Sequence, residues 1–142
     1  MEGGMIADSS GRVMHGAIIV RYSTNPERFV AKHIVCLTFD FDAISGFISR
    51  GQTTPGWLSR GEFGPRVGAP RLLALLKQYG INSSWYVPGH TVETFPDKVR
   101  AVFDAGHEVS HHGWTHRPPA TLTREQEEWE LVSGIESITK PV

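Results

Sequence analysis

The chain has 142 residues, 39% of them hydrophobic and 20% charged, with a formal net charge of −1. That length suits one small domain or a piece of a larger one, and the composition is that of a globular protein. The near-neutral charge supplies no pull toward nucleic acid or a membrane surface. The best apolar run near the N-terminus, residues 17–20, is too short for a signal-peptide core or a membrane span.

Residues 1–31 are mixed and polar, with one strand-like run at 17–22, and read as an N-terminal extension. Cys36, the sole cysteine, sits in an apolar run and reads as a small buried hydrophobe. A lone cysteine permits no internal disulfide, which fits a reducing compartment, so a cytoplasmic location is expected.

Residues 34–42 read as a strand. Ile34, Cys36, Thr38, Asp40 and Asp42 share one side; Val35, Leu37, Phe39 and Phe41 share the other. The second side is apolar and is expected to pack under helices. The first side begins apolar and ends in two carboxylates, as when a parallel strand opens into a site at its C-terminal end.

Residues 43–69 are punctuated by glycine and proline and read as a long functional loop. A helix is predicted over 70–79, with Leu72, Leu75, Leu76 and Tyr79 on one face and Gly80 as its stop. A strand follows over 81–87. A second helix starts near Pro96, with Val99, Val102 and Phe103 on one face, and ends at Gly106. Residues 107–110 read as a third strand. A last helix is predicted over 123–138, opened by a Thr123/Gln126 capping box. Repeated βα units argue for a parallel sheet or an α/β barrel, of which about three units are present. A closed barrel needs roughly twice as many strands or more.

Four of the seven histidines, His107, His111, His112 and His116, fall within ten residues. Gly113 and the Pro118-Pro119 pair argue that His112 and His116 lie on a loop rather than a helix. Asp40 and Asp42, pointing one way, repel unless a positive charge lies between or beside them. A divalent metal meets that need. Two imidazoles and one carboxylate leave positions open on zinc, the pattern of a catalytic site, and the spare Asp is then free to act as a general base.

Thr38-Phe39-Asp40-Phe41-Asp42, with Gly106-His107-Glu108-Val109-Ser110-His111-His112-Gly113-Trp114-Thr115-His116, resembles the first two motifs of the polysaccharide deacetylase (NodB-homology) family. Leu58-Ser59-Arg60-Gly61-Glu62-Phe63-Gly64-Pro65-Arg66-Val67-Gly68 and Val87-Pro88-Gly89-His90 resemble its intracellular branch of peptidoglycan-deacetylase-like and allantoinase-like proteins. The resemblance covers roughly residues 32–142. It implies an α/β fold, the N-terminal part of a distorted (β/α) barrel, incomplete in this chain. It implies Asp40 as general base and Asp42, His112 and His116 as ligands of a divalent metal, usually zinc. The reaction implied is hydrolysis of a non-peptide C–N bond, releasing acetate from an N-acetylated sugar. Family members continue into an Arg-Pro motif and a later histidine acid that these 142 residues do not include.

Among the remaining residues, His107 reads as structural and His111 as a non-ligand, since it points away from His112. His90, Arg60, Glu62 and Trp114 are weaker candidates for contact with substrate. Two other functional readings stand beside the deacetylase. One is an allantoinase-like hydrolase of a small cyclic amide. The other is a non-catalytic metal-binding fragment, whose open sheet edges would favour homo-oligomers.

Overall fold

The computed structural model describes residues 35–140, together with the backbone of two short strands before them. The chain divides into two units, residues 1–36 and 37–142. In the first, β1 (Val13–His15) and β2 (Ile18–Val20) pair antiparallel, with Met14 opposite Ile19. The rest of the expected extension, and Ile34, lie outside the described residues.

The second unit is built on a three-stranded parallel sheet in the order β3 (Thr38–Asp40), β4 (Ser84–Val87) and β5 (Glu108–His111). Register sets Phe39 beside Trp85 and Trp85 beside Val109, so one face carries Phe39, Phe41, Trp85, Val87 and Val109. The other face carries Thr38, Ser84 and Glu108 in one row and Asp40, Tyr86 and Ser110 in the next. Helices cover the apolar face. The core comprises Phe41, Ala69, Leu76, Trp85, Val87, Val92, Val99 and Val102. Phe41 meets Trp85 edge-on at 5.6 Å between ring centroids, a favoured aromatic geometry. The sheet is not closed: β3 and β5 are its edges among the described residues.

Three expectations are corrected. The first strand is shorter than predicted, so Val35 is 80% exposed and Leu37 and Cys36 are exposed too. Among the described residues, sheet pairing reaches back only to the Leu37 carbonyl, which accepts from Ser84 N–H. Residues 43–69 are not a bare loop. They fold into α1 (Ser45–Ile48), α2 (Pro55–Gly61) and a π-helical turn, Gly64–Gly68. Proline starts α2 at a position where its missing N–H costs nothing, so the residues that read as loop punctuation are helix openings.

The third correction concerns helix faces. α3 (Ala69–Tyr79) ends at Gly80 in the left-handed conformation, as expected. Its inward stripe, however, is Ala69, Leu72, Leu73 and Leu76; Leu75 and Tyr79 are exposed. An unpredicted short helix, α4 (Gly89–Thr94), precedes α5 (Pro96–Asp104), which buries Val99 and Val102 but exposes Phe103. A 3₁₀ turn, Pro119–Thr121, leads into α6 (Arg124–Thr139), whose N-terminus carries the expected capping box. The buried residues of α6 are Glu130, Gly134 and Ser137, while Leu131, Val132 and Ile135 face outward. Among the described residues no helix is long and apolar enough to cross a membrane.

Candidate metal centre

Asp40 ends β3, and Asp42 follows it past Phe41, whose N–H still bonds to the Tyr86 carbonyl. The sheet therefore carries both carboxylates to its C-terminal edge. At the next-but-one strand, His112 leaves β5 and begins the non-helical loop that contains His116. One ligand-capable atom from each of Asp42, His112 and His116 lies within 4.8 Å of the other two. Asp42 Oδ1 is 3.7 Å from His112 Nε2, and Asp42 Oδ2 is 3.6 Å from His116 Nε2. Asp40 Oδ1 stands 4.0 Å from the same His112 nitrogen, with its side chain 65% exposed.

These residues fit a divalent cation. Asp42 Oδ1 and His112 Nε2 are buried with no hydrogen-bond partner, which is costly for polar atoms unless something else satisfies them. Two carboxylates also converge on one imidazole nitrogen. A cation among the three residues would answer both problems, and a carboxylate with two imidazoles is a donor set suited to zinc.

The backbone is strained at this place. Among the described residues, Ala43 and His116 are the non-glycine residues at positive φ, at 49° and 64°. One follows Asp42 and the other is itself a member of the cluster. Such conformations cost about 1–3 kcal/mol each and persist where the surroundings impose them.

A second layer holds the cluster. Thr91 Oγ1 donates to the Asp42 carbonyl at 2.7 Å, and Ser45 Oγ lies 2.8 Å from the same Thr91 oxygen. With the Thr91 proton committed to Asp42, the Ser45 proton goes to Thr91. Ser45 can then only accept from His90 Nδ1 at 3.2 Å, so that nitrogen carries the imidazole proton. Partial burial lowers the His90 pKa, against a smaller raising effect from Glu93. Glu93 is itself lowered, chiefly by the Ser137 hydroxyl. It accepts from Ser137 Oγ at 2.7 Å and Trp114 Nε1 at 3.3 Å.

The structure thus brings Asp42, His112 and His116 together with Asp40 at their side. His90 and Trp114 stack edge-on at 5.5 Å behind them. Arg60 and Glu62 make local contacts instead. The Arg60 guanidinium lies over the Trp57 ring at 4.7 Å, and Glu62 pairs with Arg66 at 2.7 Å. His107 is buried, with its Nδ1 accepting from Ser83 N–H, in keeping with a structural role. His111 lies in the sheet row of Val87, on the side away from His112, and is pressed against α6 at Gly134.

Glu130 is the residue that sequence reading missed. It is 6% exposed and accepts the N–H groups of Trp114 and Thr115 at 2.7 Å each through Oε2. Its Oε1 accepts the Thr115 hydroxyl. A glycine four residues on, inside a helix, was the available signal that this face of α6 meets another backbone closely.

The family model for polysaccharide deacetylases matches residues 30–141. The chain belongs to that family. It is 42% identical over 112 residues to a peptidoglycan deacetylase from Helicobacter pylori, covering 77% of this chain and 38% of that protein. The crystal structure of a presumed polysaccharide deacetylase from Mycobacterium smegmatis superposes with a TM-score of 0.68 at 34% identity, covering 72% of this chain and 37% of that one. An allantoinase crystal structure superposes with a TM-score of 0.63 at 21% identity, covering 74% of this chain and 41% of that one, a likeness of fold alone. The open parallel sheet with helices on one face is therefore the N-terminal part of a (β/α) barrel, and the chain spans well under half the length of these relatives.

Proposed function

We propose that residues 32–142 form the metal-holding and water-activating part of a hydrolase that removes acetyl groups from an N-acetylated carbohydrate. The observation that carries this reading is the Asp42–His112–His116 cluster, with two of its buried polar atoms unsatisfied and a third-party carboxylate beside it. Asp42 Oδ, His112 Nε2 and His116 Nε2 would hold a divalent cation, zinc by the nature of the donors. When bound, such an ion polarises an amide carbonyl and makes a water acidic near neutral pH.

Asp40, exposed and 4.0 Å from His112 Nε2, would take the proton of the attacking water. The exposed face of the sheet, with Asp40, Tyr86 and Ser110 in one row, offers polar groups where substrate would approach. Trp114 is tied down by Glu93 and meets Trp129 edge-on at 5.1 Å, which makes it a wall of the site rather than a free platform. Membership in the family supports carbohydrate as the substrate class. The retained ligand set favours deacetylation over opening of a cyclic amide.

Zinc titration of the purified chain, followed by elemental analysis, tests the reading. About one zinc per chain is expected, and none in Asp42→Ala or His112→Ala. A wild-type chain that takes up no zinc, cobalt or manganese would overturn it.

A further inference from the structure

We propose that Glu130 is the positioning residue of the metal centre, setting its affinity by fixing the loop between His112 and His116. The proposal rests on the reading of those histidines and Asp42 as metal ligands. The loop has no regular structure to define the separation of its two imidazoles, and it turns through positive φ at Gly113 and again at His116. Something outside the loop must therefore hold it.

Its backbone groups are held by two neighbouring elements. The N-terminus of α4 takes two carbonyls: Gly89 N–H donates to Gly113 at 3.0 Å and His90 N–H to Trp114 at 2.9 Å. Glu130 takes the neighbouring N–H groups of Trp114 and Thr115, and the Thr115 hydroxyl as well. The residues between the two histidines are thus held through both kinds of backbone group, their carbonyls by a helix terminus and their N–H groups by one buried carboxylate. A buried carboxylate is costly unless it is well hydrogen-bonded, and all three of these donors come from the one short loop.

The rest of the α6 stripe serves the same contact. A side chain at Gly134 would stand 2.7 Å from the Gly113 carbonyl oxygen, so only glycine lets the helix come this close. Ser137, one turn further, holds Glu93, which in turn holds Trp114. This explains a helix that buries Glu130, Gly134 and Ser137 while leaving Leu131, Val132 and Ile135 outside.

Competition for zinc between the full chain and a chromophoric chelator tests the proposal, with melting of the zinc-free proteins alongside. Glu130→Ala is expected to weaken zinc binding by roughly 10–100-fold, the usual effect of removing a group that orients a metal ligand. Glu130→Gln is expected to restore most of it, because its amide oxygen can accept the two N–H groups and its NH₂ can donate to Thr115. Thr115→Val, which removes the hydroxyl alone, is expected to weaken binding less than Glu130→Ala. Val102→Ala, a truncation at a core residue that makes none of the loop's hydrogen bonds, is expected to lower the melting temperature and leave zinc affinity unchanged. Wild-type affinity in Glu130→Ala, or a loss no larger than that in Val102→Ala, overturns the proposal. If Glu130→Ala does not fold, Thr115→Val decides, and unchanged affinity there overturns it. Failure of the wild-type chain to bind zinc is a separate result, and sinks the metal reading itself.

Discussion

The hydroxyl of Thr91 donates to the main-chain carbonyl of Asp42 across 49 positions of sequence, at 2.7 Å, from a side chain with no exposed surface. This contact sets where the chain turns after β3 and so where the Asp42 carboxylate points. Thr91→Val keeps the shape but leaves the carbonyl and the Ser45 hydroxyl without this partner. A loss of about 1–3 kcal/mol in urea denaturation is expected, with weaker zinc binding. Thr91→Ser should recover much of both. Equal stability of the valine variant and wild type would refute the assignment.

Zinc should also stabilise the fold measurably, because the three ligand atoms converge only in the folded chain. At a free zinc concentration of about 100 times the dissociation constant, the gain is about 2.7 kcal/mol. The melting temperature should rise on adding zinc and fall back on adding a chelator. Asp42→Asn should abolish most of that response while leaving the zinc-free melting temperature close to wild type. An equal zinc response in both proteins would argue for adventitious binding at other histidines.

Much of this site could be read in the sequence, and the reason is periodicity. Alternation along residues 34–42 put Asp40 and Asp42 on one side, and the glycine and prolines around His112 and His116 ruled out a helix between them. Both inferences are local, and both describe the structure. The apolar side of the same strand was over-extended because alternation cannot show where pairing with β4 begins. Residues 43–69 misled for a different reason. Proline and glycine mark helix starts as readily as loops, and short helices such as α1 and α2 lack a long apolar stripe to distinguish the two.

The α3 stripe shows how tertiary contact chooses between equivalent patterns. Leu72 and Leu76 fit two apolar faces, one shared with Leu75 and Tyr79, the other with Ala69 and Leu73. The sheet covers the second. Glu130 was hidden more deeply still. A glutamate in an acidic helical run is most simply a solvated residue, and only the loop folding back 15 and 16 positions earlier makes it an acceptor.

Gly134→Ala provides a test in which two effects oppose. In an exposed helix interior the change gains about 1 kcal/mol. Here the added Cβ would meet the Gly113 carbonyl oxygen at 2.7 Å and crowd the His111 ring, so backbone must move. Overpacking of this kind costs about 1–3 kcal/mol or more, and the net effect should be destabilising. A lower melting temperature and weakened zinc binding are expected. A stabilised variant would show that α6 does not sit this close to the loop.

Burial lowers the His107 pKa, and its Nδ1 accepts from Ser83 N–H at 3.3 Å, with the Ser83 hydroxyl 3.2 Å away and itself accepting from Trp85 Nε1. Protonation of Nδ1 would oppose the Ser83 N–H and place a charge among Trp85 and its neighbours. In the unfolded chain the same group titrates near 6.5. Between the lowered folded value and about 6.5 the unfolded chain binds more protons, so stability rises with pH through that window. Stability is therefore full above about pH 6.5 and is lost as the solution is acidified through the folded pKa. His90, also lowered mainly by burial, adds to the loss with the same sign. His107→Asn, whose amide oxygen can stand in for Nδ1, should flatten part of the slope measured by denaturation between pH 7.5 and 5.5 without zinc. The share due to His90 should remain. A slope identical to wild type in the His107→Asn protein would show that His107 is not the group being titrated.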